Sequence, residues 1–170
     1  FHVINLVGGM QAWSQATFTR PVAREAAFTI FQIGRPSRGC LSHVVASSGE
    51  AAIIDPLRNP EPYLALLSSE QLRARFVLDT HAHADHVSGG PALAHRLGVP
   101  YLLHPYDAIH PMDLLPATIP YEPLRDGELL KLGSVTIEVL HIPGHTLGNV
   151  ALRVGSSLVA SDSIFIDSVA

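Results

Sequence analysis

The sequence predicts an α/β fold in which sheets are flanked by helices, and three observations carry that expectation. Apolar β-prone runs recur along the chain and are punctuated by turn signals at Ser48-Gly49-Glu50, Gly133-Ser134 and Gly155-Ser156. Midway, a strand–helix–strand passage replaces the hairpins. The 170 residues are 47% hydrophobic and 15% charged, the texture of a packed core and not of a disordered chain.

The elements are taken in chain order. Val3 to Leu6 is β-prone, Gly8-Gly9 interrupts it, and Met10 to Ala16 is helical in character. Pro21 closes this opening segment, which is too short to bury its own apolar face. Phe28 to Ile33 is a strand, and Leu41–Ser47 with Ala51–Asp55 forms a hairpin. Asn59 is placed to cap a helix running to Ala74, with Leu64, Leu67 and Leu72 at helical intervals. Arg75 to Thr80 is a short strand of the buried type. Residues 89–98 are a helix stopped by Gly98, and Val99 to His104 is a further strand. The proline-rich stretch 105–123 is expected to be a connecting loop with one or two helical turns. Asp126 to Ile142 is the strongest hairpin signal, and Asn149–Val154 pairs with Ser157–Ser161. The organisation expected is an opening unit over 1–20, a linker over 21–26, and a main domain over 27–170.

Several functions are disfavoured at once. The net charge is −4 and no run of lysine or arginine invites a nucleic-acid backbone or an anionic membrane. No apolar stretch is long enough to span a bilayer. Cys40 is the only cysteine, so no intrachain disulfide forms, which suits a reducing, cytoplasmic setting. The chain begins at Phe1 and ends in the apolar run "SIFIDSVA", and it is expected to be a piece of something longer.

Ten histidines are present, and their clustering matters more than their number. "THAHADH" spans Thr80 to His86. In an extended segment, residues two apart point the same way, so His81 and His83 would face one point in space. Asp85 and His86 come next, as the chain turns into the following helix. Four ligand-type groups thus collect at the C-terminal end of a strand, where open α/β sheets place their sites. Packing such groups together is costly without a cation to satisfy them. "HIPGHTLGN" supplies a second contribution: Pro143-Gly144 is a sharp turn, His145 sits just beyond a strand end, and His141 could be a buried or supporting group. Asp162 comes after the β-run in "LVAS" and is either a third contributor or a turn residue. His2, His95 and His110 have no partners in sequence. His43 and His104 receive no role, and Cys40 is expected to be a small buried hydrophobe.

These three motifs, in this order, resemble the metallo-β-lactamase fold superfamily. "THAHADH", "PGHT" (143–146) and Asp162 carry the likeness, and "CLSHVVASSGEAAIIDP" looks like the family's opening strands. The resemblance implies an αββα sandwich, here incomplete at the C-terminus, with metal held along one edge of the sheets. Within the superfamily, "GCLSHVVAS", "THAHADHVSGG" and "SDSIFIDSVA" resemble the persulfide dioxygenases, the ETHE1-like group. The opening "VINLVGGMQAWSQA" resembles the last strand, turn and helix of a rhodanese domain, a unit that handles sulfane sulfur. One departure is Ser161, where the family usually has glycine. The resemblance also implies a further histidine and most of the thiol-binding surface beyond Ala170.

For the metal, the resemblance implies one Fe(II) held by His81, His145 and Asp162, with His83, Asp85 and His86 supporting the ligands. The partners implied are O2 and a small thiol persulfide, glutathione persulfide first among them, with sulfite as product. The same residues also suit a glyoxalase II-type thioester hydrolase with two zinc-type ions. His81, His83 and His145 would then hold one ion and Asp85 and His86 the other, with Asp162 bridging. A metal-binding module without turnover is the third reading. A nuclease of this fold is disfavoured by the lack of a basic surface.

Overall fold

The computed structural model describes residues 3–83, 87–108, 119–165 and 168–169. Seven strands form one sheet in simple sequence order: β1 Phe18–Arg24, β2 Thr29–Arg35, β3 Cys40–Ser47, β4 Glu50–Ile54, β5 Arg73–Leu78, β6 Tyr101–Leu103 and β7 Glu122–Pro123. β1 to β4 pair antiparallel, whereas β4 to β7 pair parallel. Antiparallel neighbours need only tight turns, and the β3–β4 turn has Ser48 and Gly49 both at positive φ. Parallel neighbours need crossovers. These are supplied by α2, Glu61–Ser69, between β4 and β5, and α3, Gly90–Leu97, between β5 and β6. The second sheet is a four-stranded antiparallel meander in the order β11-β10-β9-β8, with β8 Leu129–Leu132, β9 Val135–His141, β10 Val150–Val154 and β11 Ser157–Val159.

Alternation along the central strands sets the layers. Ile53, Val44 and Val77 face α2 and α3, where they meet Tyr63, Leu66, Leu67, Leu93 and Ala94. Ile54, Val45 and Leu78 face the other way and meet Leu132, Ile137, Val139, Val150 and Leu152 of the smaller sheet. The result is a helix layer on a seven-stranded sheet on a four-stranded sheet. Among the described residues no helix covers the outer face of the smaller sheet, so the described part is the αββ portion of the expected sandwich.

Most elements fall where the pattern predicts them, with instructive exceptions. Val3 to Leu6 forms no strand; its side chains are largely exposed and no neighbouring strand pairs with them among the described residues. The helix after it is α1, Gly9–Gln15, and the Ser14 carbonyl accepts from Arg35 Nε at 2.6 Å. The stretch 21–26, expected as linker, carries the second half of β1, whose pairing slips at Pro21/Ala23. Proline cannot donate to a ladder, and an edge strand with a bulge is where a sheet tolerates it. α2 is shorter than its apolar spacing suggests because Gln71 adopts φ 54 and turns the chain into β5. Its buried face is Tyr63, Leu66 and Leu67, and Asn59 Oδ1 accepts from the Glu61 N–H at 3.2 Å.

Candidate metal centre

The seam between the two sheets assembles the site. β5 ends in the buried apolar run Phe76–Leu78, then delivers Asp79, Thr80 and His81 to the edge where β6 also ends. From the smaller sheet, β9 ends at His141 and leads through Pro143-Gly144 to His145, while β11 ends at Val159, just before Asp162. The Val150 N–H donates to the Thr80 carbonyl at 2.9 Å and locks the two sheets together at this point.

His81, His145 and Asp162 converge, each offering a ligand atom within 4.8 Å of the others. Asp162 Oδ2 lies 3.6 Å from His81 Nε2 and 3.7 Å from His145 Nε2. Three groups predicted from separate stretches of sequence therefore meet at one point. His81 is buried, and its Nε2 has no hydrogen-bond partner among the described residues. A buried imidazole nitrogen aimed at a carboxylate and a second imidazole, with nothing donating to it, fits a cation of two-nitrogen, one-oxygen preference.

The other side of the His81 ring shows how that nitrogen is kept available. Nδ1 lies 3.0 Å from Thr80 Oγ1 and 2.9 Å from Ser161 Oγ. The Thr80 hydroxyl donates to Asp55 Oδ2 at 2.8 Å, and the Ser161 hydroxyl donates to Asn149 Oδ1 at 2.9 Å. The two hydroxyls also lie 2.8 Å from each other; with the Thr80 proton on Asp55 and the Ser161 proton on Asn149, the arrangement suits an Nδ1–H donor and leaves the lone pair on Nε2. Burial first, and the neighbouring His83 second, hold the His81 pKa below its ordinary value, which favours the neutral ring that a metal ligand needs.

His83 packs against His81, with the ring centroids 4.1 Å apart, and reaches a second set of carboxylates. Its Nε2 is 3.3 Å from Asp55 Oδ1 and 3.9 Å from Asp79 Oδ1, and these three form a second buried cluster. Burial disfavours the charged form of His83, but the hydrogen bond and charge of Asp55, then Asp79, outweigh it and raise its pKa. Burial likewise works against Asp55 ionisation, yet His83 and the Thr80 donors hold its pKa below the ordinary value. Asp79 goes the other way: burial and the Asp55 charge push it up to about 6. Asp85 and His86 lie outside the described residues, as do His2 and His110.

The remaining histidines stand off the triad. His141 stacks on His104 at 4.2 Å between ring centroids, and its Nε2 lies 2.9 Å from the Leu147 carbonyl. His43 is 3.3 Å from Gln32 Nε2, with its pKa lowered chiefly by burial, and His95 is exposed. A cavity of about 860 Å3 runs from His81, Ser161 and Asp162 past His43 to Arg38 and Cys40. Cys40, expected as a small buried hydrophobe, packs against the core but is half-buried and also borders the cavity.

Sequence reasoning passed over Asp55, Asp79, Thr80, Asn149 and Asp107. One signal was present: "AIIDP" and "FVLDT" each end a buried β-run with an aspartate, an arrangement too costly to be incidental. Nothing local marks Asn149 or Asp107.

A helix-backed pair of sheets whose seam gathers two imidazoles and a carboxylate defines a metalloprotein of the αββα type. The chain belongs to the Metallo-beta-lactamase superfamily, whose sequence signature matches residues 35–160. Members are generally metal-dependent enzymes. The chain is similar to a hydroxyacylglutathione hydrolase of Anaeromyxobacter dehalogenans, 34% identical over 139 residues, covering 80% of this chain and 50% of that protein. Among solved structures it is similar to ETHE1 from Myxococcus xanthus, with a TM-score of 0.67, 22% identity, and coverage of 79% of this chain and 57% of that one. It is also similar to a metallo-beta-lactamase from Staphylococcus aureus, with a TM-score of 0.64, 24% identity, and coverage of 90% and 45%. At these identities the structural likeness shows the fold. The chain spans about half the length of the curated relatives it matches.

Proposed function

We propose that this chain carries the metal centre of a non-haem iron persulfide dioxygenase acting on glutathione persulfide. The observation that supports the reading is the convergence of His81, His145 and Asp162, whose ligand atoms lie within 4.8 Å of one another, with the His81 Nε2 buried and without a hydrogen-bond partner among the described residues. Two histidines and one carboxylate on one face are the ligand set of non-haem Fe(II) oxygenases, with positions left open for substrates. His81, His145 and Asp162 would hold the ion, and bound Fe(II) would supply the redox chemistry between O2 and sulfur. In the overall reaction one persulfide, one O2 and one water give the thiol and sulfite, so sulfane sulfur is oxidised and O2 is reduced.

The chain's own residues do the rest. Thr80 and Ser161 fix the His81 tautomer, and Asp55 orients Thr80 through both its N–H, at 2.6 Å, and its hydroxyl. The cavity receives the thiol. Arg38 lines it, and among the described residues no carboxylate pairs with that guanidinium, which suits a substrate carboxylate. The exposed apolar side chains Val3, Ile4, Val7 and Met10 suit a segment that completes another domain, in line with the rhodanese-like resemblance. Among the described residues no helix is long and apolar enough to cross a membrane, and a cytoplasmic setting is part of the same reading.

A second reading has its own support. Several curated relatives are named hydroxyacylglutathione hydrolase, and the one from Anaeromyxobacter dehalogenans, at 34% identity, is nearer in sequence than the ETHE1 structure at 22%. Both readings take a glutathione-derived substrate. The deciding experiment is metal analysis of anaerobically purified full-length protein, followed by O2 uptake with glutathione persulfide. About one iron per chain and persulfide-dependent O2 consumption are expected. About two zinc ions, no O2 uptake and cleavage of S-lactoylglutathione would overturn the dioxygenase reading.

A further inference from the structure

The residue that joins two of the ligand-bearing loops is not itself a ligand. Asp107 ends a 3-10 turn, Pro105–Asp107, directly after β6. Its Oδ2 accepts from the Ala82 N–H at 2.8 Å and from the Thr146 hydroxyl at 2.6 Å. Its Oδ1 accepts from the Gly148 N–H at 2.7 Å. Ala82 lies between His81 and His83, and Thr146 is next to His145. One carboxylate thus grips the loop from the seven-stranded sheet and the loop from the four-stranded sheet at once. Gly148 permits this approach, since a Cβ there would meet the Asp107 Cγ and Oδ1 at 2.7 Å.

We propose that Asp107 is a positioning residue that sets the separation of His81 and His145 and thereby the affinity and geometry of the metal centre. The inference rests on the metal-site reading but not on the identity of the ion. Three donors from two loops converge on an acceptor-only group, so each bond is charge-assisted and none is available without the carboxylate. Such supporting contacts are typically worth tenfold to a hundredfold in metal affinity. Alanine would release both loops. Asparagine would keep the shape but present one acceptor oxygen where three donors converge.

The test uses the full-length protein with cobalt(II) and zinc(II) as probes, competed against a chromophoric chelator. Circular dichroism and the metal-free melting temperature are recorded in parallel. Asp107→Ala is expected to bind both ions about tenfold or more weakly, Asp107→Asn to fall between it and wild type, and Gly148→Ala to shift the same way as Asp107→Ala. The visible bands of the cobalt protein are expected to change in position or intensity, a readout that general loosening of the fold does not move. Should Asp107→Ala fail to fold, the asparagine and Gly148→Ala variants decide. Wild-type affinity and cobalt spectra in the folded variants overturn the proposal. Two zinc ions and thioester cleavage would sink the dioxygenase reading while leaving Asp107 in place, so the two failures are distinguishable.

Discussion

Thr80→Val tests the logic of the site most directly, because it changes no shape and removes one hydroxyl. That hydroxyl is fully buried, donates to Asp55 Oδ2 at 2.8 Å, and lies 3.0 Å from His81 Nδ1 and 2.8 Å from Ser161 Oγ. The bond to Asp55 is made to a charged acceptor, a type worth about 1.5–3 kcal/mol. Asp55 keeps the Thr80 N–H and its contact with His83, and His81 keeps Ser161, so neither is stranded completely. The expected loss is therefore about 2 kcal/mol of metal-free stability, near the middle of that range. The His81 ring, held by one hydroxyl instead of two, is expected to bind metal about tenfold to a hundredfold more weakly. Urea unfolding of the metal-free full-length protein measures the first quantity, and chelator competition the second. Thr80→Ser, which keeps the oxygen, serves as the control. A Thr80→Val protein within about 0.5 kcal/mol of wild type and with unchanged affinity would refute the claim that this hydroxyl orients the ligand.

Three further outcomes are expected. Ser161 sits at φ 55, a conformation that favours glycine, so Ser161→Gly should relieve strain and leave metal-free stability within about 1 kcal/mol of wild type. The same change should weaken metal binding, because the contact to His81 Nδ1 at 2.9 Å is lost. Asp79→Asn should stabilise the metal-free protein at neutral pH. The Asp79 pKa is raised from 3.8 to about 6, so wild type loses stability as pH climbs through that interval, on the order of 3 kcal/mol. The gain on substitution should be complete above about pH 6 and absent below 3.8, and equal melting temperatures at pH 8 would contradict it. Arg38→Ala should raise KM for glutathione persulfide severalfold with little change in kcat, whereas an unchanged KM would remove Arg38 from the substrate's path.

The legible parts of the fold and site share a physical cause. Turn pairs such as Ser48-Gly49 must sit at positive φ, and alternating runs such as that of β9 must put one face inward, so hairpins announce themselves locally. The "THAHADH" run is legible because its ligand-type groups are too costly to crowd together idly. β1 was missed because a proline in a strand reads as a break unless the strand is known to be an edge. Val3 to Leu6 misled in the opposite sense, since β-propensity needs a partner strand to act. Asp107 and Asn149 were invisible for a deeper reason. Each is an ordinary polar residue in a loop, and its value lies in which groups from other segments the fold brings to it.

The triad straddles the two sheets: His81 arrives on β5 of one, while His145 and Asp162 come after β9 and β11 of the other. An ion held there acts as a rivet through the sandwich, not an ornament on its rim. Any ligand that binds only the folded chain adds stability by mass action, about 4 kcal/mol when its concentration is a thousand times Kd. The lifetime of this protein in a cell should accordingly track the metal supply. Starvation for the ion would then lower the amount of protein as well as its activity, and the two effects would be separable only by measuring both.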